Sequence, residues 1–551
     1  MKLKGLKNRA YHILFHTHTV SGIVISFGLF VIFYAGAFSL FRHEIYRWEN
    51  PEARMEVYTG AIDFDQALTE VKAAYPNFAE QEQFTFRLPN EEMPFLKFYG
   101  AENVPDEERP KRFSAQISPV DYTVTNLEKA KTTVGETLYH LHYFRQIPAG
   151  LYISGLVALF FLFATVTGVL IHWRNILTKF YAFRTDVSWK QIWTNAHTVL
   201  GVIGLPFQVI YAVTGALFGL LTLLLIPSAL VLYGGDTDKI LAAVNPAAVH
   251  KPNKEAPLST NLSINELYEI AGEKLGNKSD IFHFNFQNFG RADAIANYRT
   301  DDKIGLMGDG TLTLKMKTGE VLAQTLPYQK TYTESVLNLI TKLHFGTFGG
   351  IALKVVYFIL AMLTCFMLIS GVLLWQVARD NKKYTPEQRL FQHRVTKIYL
   401  AICLGLFPAT ALIFIANKLV PWVLDSRALW VNTVFFAGWF LFIGLGILWD
   451  NYAKINKNYL ILGGLLSLLI PASNGLMTGD WLWTTWQNGD WYVWSVDIFW
   501  LLTGVMALAI AAILQTKKPN PILRKASKKQ KSKDTPILAK EELLILQKKQ
   551  A

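Results

Sequence analysis

Apolar positions along this 551-residue chain gather into eight long runs separated by polar stretches. The runs cover residues 19–41, 149–172, 197–231, 351–377, 396–417, 428–449, 459–475 and 493–515. A helix needs about 20 apolar residues to cross a ~30 Å hydrocarbon layer, so the pattern predicts eight transmembrane helices, four of them crowded into 396–515. The third run is longer than a crossing requires and holds Pro206 and Pro227, which predicts a bend or an extension past the bilayer. No small-x-small motif closes the first run, so the chain is expected to keep it as an uncleaved span.

The stretches 42–148 and 232–348 are too long to be simple connections, and both mix two periodicities. Phe64 to Tyr75 and Ser263 to Leu275 repeat as amphipathic helices, whereas Gln83 to Tyr99 and Ile281 to Ala296 alternate as strands. The expected fold is a polytopic α-helical membrane protein carrying two small α+β domains.

Composition agrees, with 51% hydrophobic and 14% aromatic residues. The net charge of +12 does not point to nucleic acid, because Lys and Arg collect in short segments flanking the apolar runs. Lys2, Lys4, Lys7 and Arg9 lie in the N-terminal segment 1–18, Arg174, Lys179, Arg184 and Lys190 follow the second run, and Arg379, Lys382, Lys383 and Arg389 follow the fourth. Positive residues mark cytoplasmic loops, so both termini, including the basic tail 516–551, are expected in the cytoplasm and both α+β segments outside. Trp481, Trp483, Trp486 and Trp491, in a loop without Lys or Arg, suit the outer interface. The two cysteines, Cys365 and Cys403, both lie inside apolar runs and offer neither a disulfide framework nor a Cys-based metal site.

The chain also repeats itself. His18-Thr-Val-Ser-Gly22 opens the first span and His197-Thr-Val-Leu-Gly201 the third, and Gly36 and Gly215 each lie 18 residues after their histidine. Leu141-His142-Tyr143 and Leu343-His344-Phe345 precede the second and fourth spans, which both end in Gly-Val-Leu, at Gly168 and Gly371. Two copies of span, domain, span would be related by a pseudo-two-fold axis along the membrane normal, and such an axis sets equivalent residues opposite one another.

The histidines fall into two layers. His16, His18, His172, His197 and His393 are at cytoplasmic span ends, and His43, His140, His142 and His344 at the other ends. Duplication predicts that His18 meets His197 and that His142 meets His344. Each meeting gives two neutral nitrogens across an axis, as axial ligation of a b-type haem requires, so two haems are expected. Eighteen residues at about 100° make five whole turns, so Gly36 shares a face with His18 about 27 Å along the helix, and Gly215 stands likewise above His197. Glycine there leaves room for a flat macrocycle, and tight helix packing is an equally ordinary use of it. Two stacked haems would carry electrons across the bilayer.

Other cofactors find no support. A covalent haem motif Cys-x-x-Cys-His is missing, as are dinucleotide and phosphate-binding loops, since Gly305-Leu-Met-Gly-Asp-Gly310 has the wrong spacing. Electrons are therefore expected from a separate cytoplasmic reductase or from quinol. The middles of the spans lack histidine and carboxylate, which speaks against a metal or solute permease.

Over residues 10 to 380 these features resemble the PepSY-associated transmembrane family, which includes iron-regulated membrane proteins and ferric-siderophore reductases. The resemblance rests on the His18 and His197 segments, the Leu-His pairs at His142 and His344, the endings at Gly168 and Gly371, and two intervening domains of PepSY size. It implies two PepSY-like periplasmic domains on a four-helix haem-binding core in the bacterial inner membrane. It further implies a ferric siderophore, or another periplasmic acceptor, as the oxidant, with iron release and uptake as the outcome. His172 has Trp375 as its counterpart and no symmetry mate, so it is an alternative inner ligand; His16 and His140, two residues from the chosen ligands, are others. Two further readings remain at this point: a PepSY-type regulatory or inhibitory membrane protein without a cofactor, and the metal or solute permease.

Overall fold

The computed structural model describes residues 7–514 except 52–57, 59, 91–93, 127–132, 182–183, 185, 237–238, 240–249, 251, 254, 277–279, 303–304 and 425. The expected basic tail 516–551, together with Lys2 and Lys4, lies outside the described residues. In chain order the helices are α1 (Asn8–Ser39), α2 (Arg42–Glu49), α3 (Phe64–Ala74), α4 (Val134–His142), α5 (Gly150–His172), α6 (Ile176–Lys179), α7 (Trp189–Ile203), α8 (Leu205–Tyr233) and α9 (Ile264–Leu275). They continue as α10 (Tyr332–Phe345), α11 (Gly350–Arg379), α12 (Pro386–Leu419), α13 (Arg427–Leu448), α14 (Tyr452–Thr478), α15 (Leu482–Gln487) and α16 (Trp491–Ile513).

Eight of these, α1, α5, α8, α11, α12, α13, α14 and α16, are long and apolar enough to cross a membrane. The third apolar run breaks at Gly204, between α7 and α8, so Pro206 becomes the second residue of a new helix, where its missing N–H costs nothing. Pro227 remains inside α8.

Contacts divide the chain into two compact units. One holds the described residues within 1–35, 160–209 and 360–551, and the other those within 36–159 and 210–359.

In the first unit, α12 to α16 form a bundle fastened by hydrogen bonds to backbone. The Trp439 Nε1–H of α13 donates to the Ile402 carbonyl of α12 at 2.9 Å, and the Tyr459 hydroxyl of α14 to the Phe442 carbonyl of α13 at 2.6 Å. α14 and α16 cross closely at Gly464 and Gly504, where a Cβ on either would stand 3.1 or 2.9 Å from the other's carbonyl oxygen. Near the start of α16, fully buried Asp497 accepts from the Asn474 amide at 2.8 Å.

The second unit contains the strands β1 (Phe84–Arg87), β2 (Leu96–Glu102), β3 (Lys111–Ile117), β4 (Val124–Asn126), β5 (Ile281–Gln287), β6 (Ile295–Thr300), β7 (Thr311–Lys315) and β8 (Val321–Thr325). Each of the two segments expected as a small α+β domain does supply four strands and a helix, but the two sheets are not separate. They join through antiparallel β1 and β5 into one eight-stranded sheet of order β4-β3-β2-β1-β5-β6-β7-β8. At the seam Phe84 pairs with Phe286 and Phe86 with Phe284, and all four are fully buried. A single core containing Phe64, Leu68, Phe98, Leu267 and Tyr298 lies between this sheet and α3 and α9. Phe64 of α3 packs on Phe284 of the other half at 5.0 Å, so the two halves bury these rings jointly.

The N-termini of α3 and α9 also cap one another. Phe64 N–H donates to Asn265 Oδ1 at 2.9 Å, and Ile264 N–H donates to Asp65 Oδ1 at 2.8 Å. Equivalent residues of the two halves thus exchange equivalent bonds, and each satisfies a donor that a helix start leaves open.

Candidate functional site

His18 lies on α1 and His197 on α7, in the first unit, with ring centroids 6.2 Å apart and planes at 65°. His18 Nδ1 is 2.9 Å from the Ala164 carbonyl of α5, and His197 Nδ1 is 3.0 Å from the Met367 carbonyl of α11. Ala164 and Met367 each stand four residues before a repeat glycine, Gly168 or Gly371. A Cβ at Gly168 would fall 3.2 Å from His18 Cε1, and one at Gly371 2.9 Å from His197 Cε1. The missing side chain is what lets each imidazole lie against the helix and reach its backbone.

A carbonyl only accepts, so Nδ1 must carry the hydrogen in both rings. That leaves an unprotonated Nε2 on each, the form in which histidine binds a metal.

In the second unit, His142 at the end of α4 and His344 near the end of α10 have ring centroids 6.0 Å apart at 46°. His344 Nδ1 is 2.8 Å from the Thr214 hydroxyl, which itself donates to the Ile210 carbonyl at 2.7 Å. With its hydrogen so used, Thr214 can only accept from His344, and Nδ1–H is fixed again. Tyr211 and Phe218, on the same face of α8 as Thr214, flank the His344 ring at 5.3 and 5.0 Å. Burial first, and His142 second, hold the His344 pKa down at about 3, so its imidazole is neutral at ordinary pH. His142 rests against Gly36, where a Cβ would fall 2.7 Å from its Nδ1.

Two rings bound on opposite sides of one metal, with metal–nitrogen bonds of roughly 2 Å and a ring radius of about 1.1 Å, stand about 6.2 Å apart. Both pairs come close to that separation. Each pair offers two donors, and among the described residues no group of three or more His, Cys, Asp or Glu is set to hold a metal ion. A haem needs two axial ligands, since its macrocycle supplies the other four, so donor set, tautomers and spacing fit that group.

The other sequence candidates lie as follows. His16 is exposed on α1, whereas His18 is half-buried. His140 stands 3.6 Å from Glu136 and packs on Tyr143, and burial lowers its pKa. His172 ends α5. Gly215 faces the Ala158 Cβ of α5, 3.2 Å from where its own Cβ would be, while its neighbour Thr214 holds His344.

Two buried charges anchor the helices that carry the second pair, and sequence reading missed both. Glu49 of α2 accepts from Thr133 N–H and Thr133 Oγ1, both at 3.0 Å, and from Val134 N–H, which caps the start of α4. Lys342 of α10 bonds Asp301 at 2.7 Å and Asp309 at 3.0 Å. Burial works against its charge, but these carboxylates outweigh it and its pKa is raised. A carboxylate before a helix start is a readable cap only when it is adjacent in sequence; Glu49 is 84 residues from Thr133.

The fold and these pairs define a multi-pass membrane protein with an internally duplicated, histidine-bearing helical core and one composite α+β domain. The profile of the PepSY-associated TM region matches residues 15–378, and the chain belongs to that family. No curated protein matches the chain.

Proposed function

We propose that this protein is a transmembrane electron-transfer protein of the bacterial inner membrane, holding one b-type haem between His18 and His197 and a second between His142 and His344. The observation that carries this reading is the convergence of both histidine pairs at a separation two ligands of one metal would have, with Nε2 of His18, His197 and His344 left for a metal. Haem, when bound, supplies reversible one-electron chemistry. The chain's part is to present neutral imidazoles, to fix their tautomers through Ala164, Met367 and Thr214, and to surround them with apolar helix.

With the N-terminus in the cytoplasm, as the distribution of Lys and Arg favours, the His142–His344 pair belongs to the periplasmic side together with the composite domain. The acceptor is then periplasmic. Family membership supports a ferric siderophore, whose reduction loosens the iron for uptake, and the donor is a cytoplasmic reductase or quinol.

A dithionite-reduced minus oxidised absorbance spectrum of the purified protein, with haem counted per chain, tests the reading. Two b-type haems are expected. A chain expressed with ample haem supply that shows no Soret band would remove this function and leave a cofactor-free regulatory role.

A further inference from the structure

The face of the sheet turned away from α3 and α9 carries a row of basic side chains that crosses the seam between the two halves. In consecutive strands Lys97 pairs with Arg87, Arg87 with His283, and His283 with Arg299. Residues directly opposite in antiparallel strands project from the same face, so these four side chains stand in line across β2, β1, β5 and β6, over about 14 Å at the usual strand spacing.

Like charges set opposite one another weaken a sheet, so such a row needs a compensating partner. The strands supply none. Glu102 is the sole acidic residue in the eight strands, and it lies in register with Lys111, on the opposite face. Among the described residues none of Lys97, Arg87 and Arg299 makes an ion pair, and Arg87 Nε is buried without a hydrogen-bond partner. The charges that act on His283 are Arg299 and Arg87, and with burial as the largest cause they hold its pKa at about 4. It therefore contributes a neutral hydrogen-bonding ring between two permanent cations.

The surroundings are those of a recognition surface. Thr85, Asn285 and Asn297 form the neighbouring row, which closes on fully buried Thr313 at β7, and Tyr99 flanks it at the other end. Over one end, the Gln116 amide, in register with Lys97, donates to the Tyr46 hydroxyl of α2 at 2.8 Å. Partial cover of this kind lowers the local dielectric and strengthens attraction for an anion.

We propose that the row Lys97, Arg87, His283 and Arg299 is the binding surface for the acceptor, and that the acceptor is an iron(III) chelate of net negative charge, with carboxylate or catecholate oxygens directed at the guanidinium groups. This rests on the electron-transfer reading above for the word acceptor, but the binding site itself does not. Arginine suits the task because its planar fork matches paired anionic oxygens.

Redox-inert gallium(III) citrate, an anionic chelate, and a cationic gallium(III) trihydroxamate serve as probes, titrated calorimetrically into the full-length protein in detergent. The anionic probe is expected to bind the unaltered protein, more weakly as salt rises, and at least tenfold more weakly to the double variant Arg87→Gln, Arg299→Gln. The double variant Arg87→Lys, Arg299→Lys, which keeps both charges at the same two positions, is expected to stay within threefold of the unaltered protein. Equal binding of the anionic probe to the unaltered protein and the glutamine double variant, equal binding of the cationic probe, or no binding of the anionic probe would each overturn the proposal. A haem spectrum of the same preparation separates the two readings: anion binding without haem removes electron transfer alone, and haem without anion binding removes this site alone.

Discussion

The Cβ that Gly36 lacks would fall 2.7 Å from Nδ1 of His142, so the imidazole occupies the space a side chain on α1 would take. Gly36→Ala is therefore expected to push His142 off its axis and halve the haem content, from two per chain to one. Gly215→Ala, whose added carbon would meet only the Ala158 methyl at 3.2 Å, should cost much less. Haem counted per chain by the pyridine haemochrome method checks the contrast; equal loss in both variants would place the two glycines in the same role.

Gly371→Ala should act on the other pair. Its Cβ would stand 2.9 Å from His197 Cε1 and part the ring from the Met367 carbonyl. The expected result is loss of the haem held by His18 and His197 while the signal of the second haem persists. A potentiometric titration would show one midpoint in place of two.

Acid should weaken the protein through His344. Its pKa is about 3 in the folded chain against 6.5 for a free histidine, so between those values the unfolded chain binds the extra proton and the folded one does not. Stability contributed by the neutral ring is complete above about pH 6.5 and is lost progressively as pH falls towards 3. Unfolding midpoints of the haem-free protein, measured from pH 7.5 to 4.5, should fall more steeply for the unaltered chain than for His344→Gln. Parallel slopes would show that the ring is not buried neutral.

Removing the carboxylate of Glu49 strips the start of α4 of three hydrogen bonds and leaves buried donors open. Glu49→Ala is expected to cost about 2 kcal/mol or more, and Glu49→Gln, which keeps an acceptor, about half of that. Denaturant titration followed by tryptophan fluorescence measures both. Because α4 carries His142, the same variants should lower haem content at the His142–His344 site before they unfold the chain.

The eight spans and the four paired histidines were legible because each rests on a local signal: an apolar run of membrane length, or a short phrase such as Leu-His repeated in both halves. Gly168 and Gly371 were visible as landmarks, but their use was not. That use depends on a carbonyl one helical turn back meeting a ring from another helix. The alternation in 83–99 and 281–296 marks which residues face the core, yet alternation specifies a face and never a partner strand. For that reason two separate domains were expected where β1 and β5 join into one sheet, and the basic row that crosses the join stayed hidden. The irregularity that Pro206 announced is a break at Gly204 between two helices, and only the proline marked it, since Leu, Ile and Val continue on both sides and hydropathy stays high.

The β1–β5 seam also sets an order of events during synthesis. Phe84 finds its partner Phe286 only after about 200 further residues have been made, including α5 and α8. Through that interval β1 to β4 exist as a half-sheet whose β1 edge presents unpaired backbone groups and bare phenylalanine rings, a template for pairing with any neighbouring chain. Contacts so distant in sequence also form slowly. The duplicated protein thus passes through a stage in which its first half lacks the strand that completes it, and that stage ends only when residues 281–287 have been made.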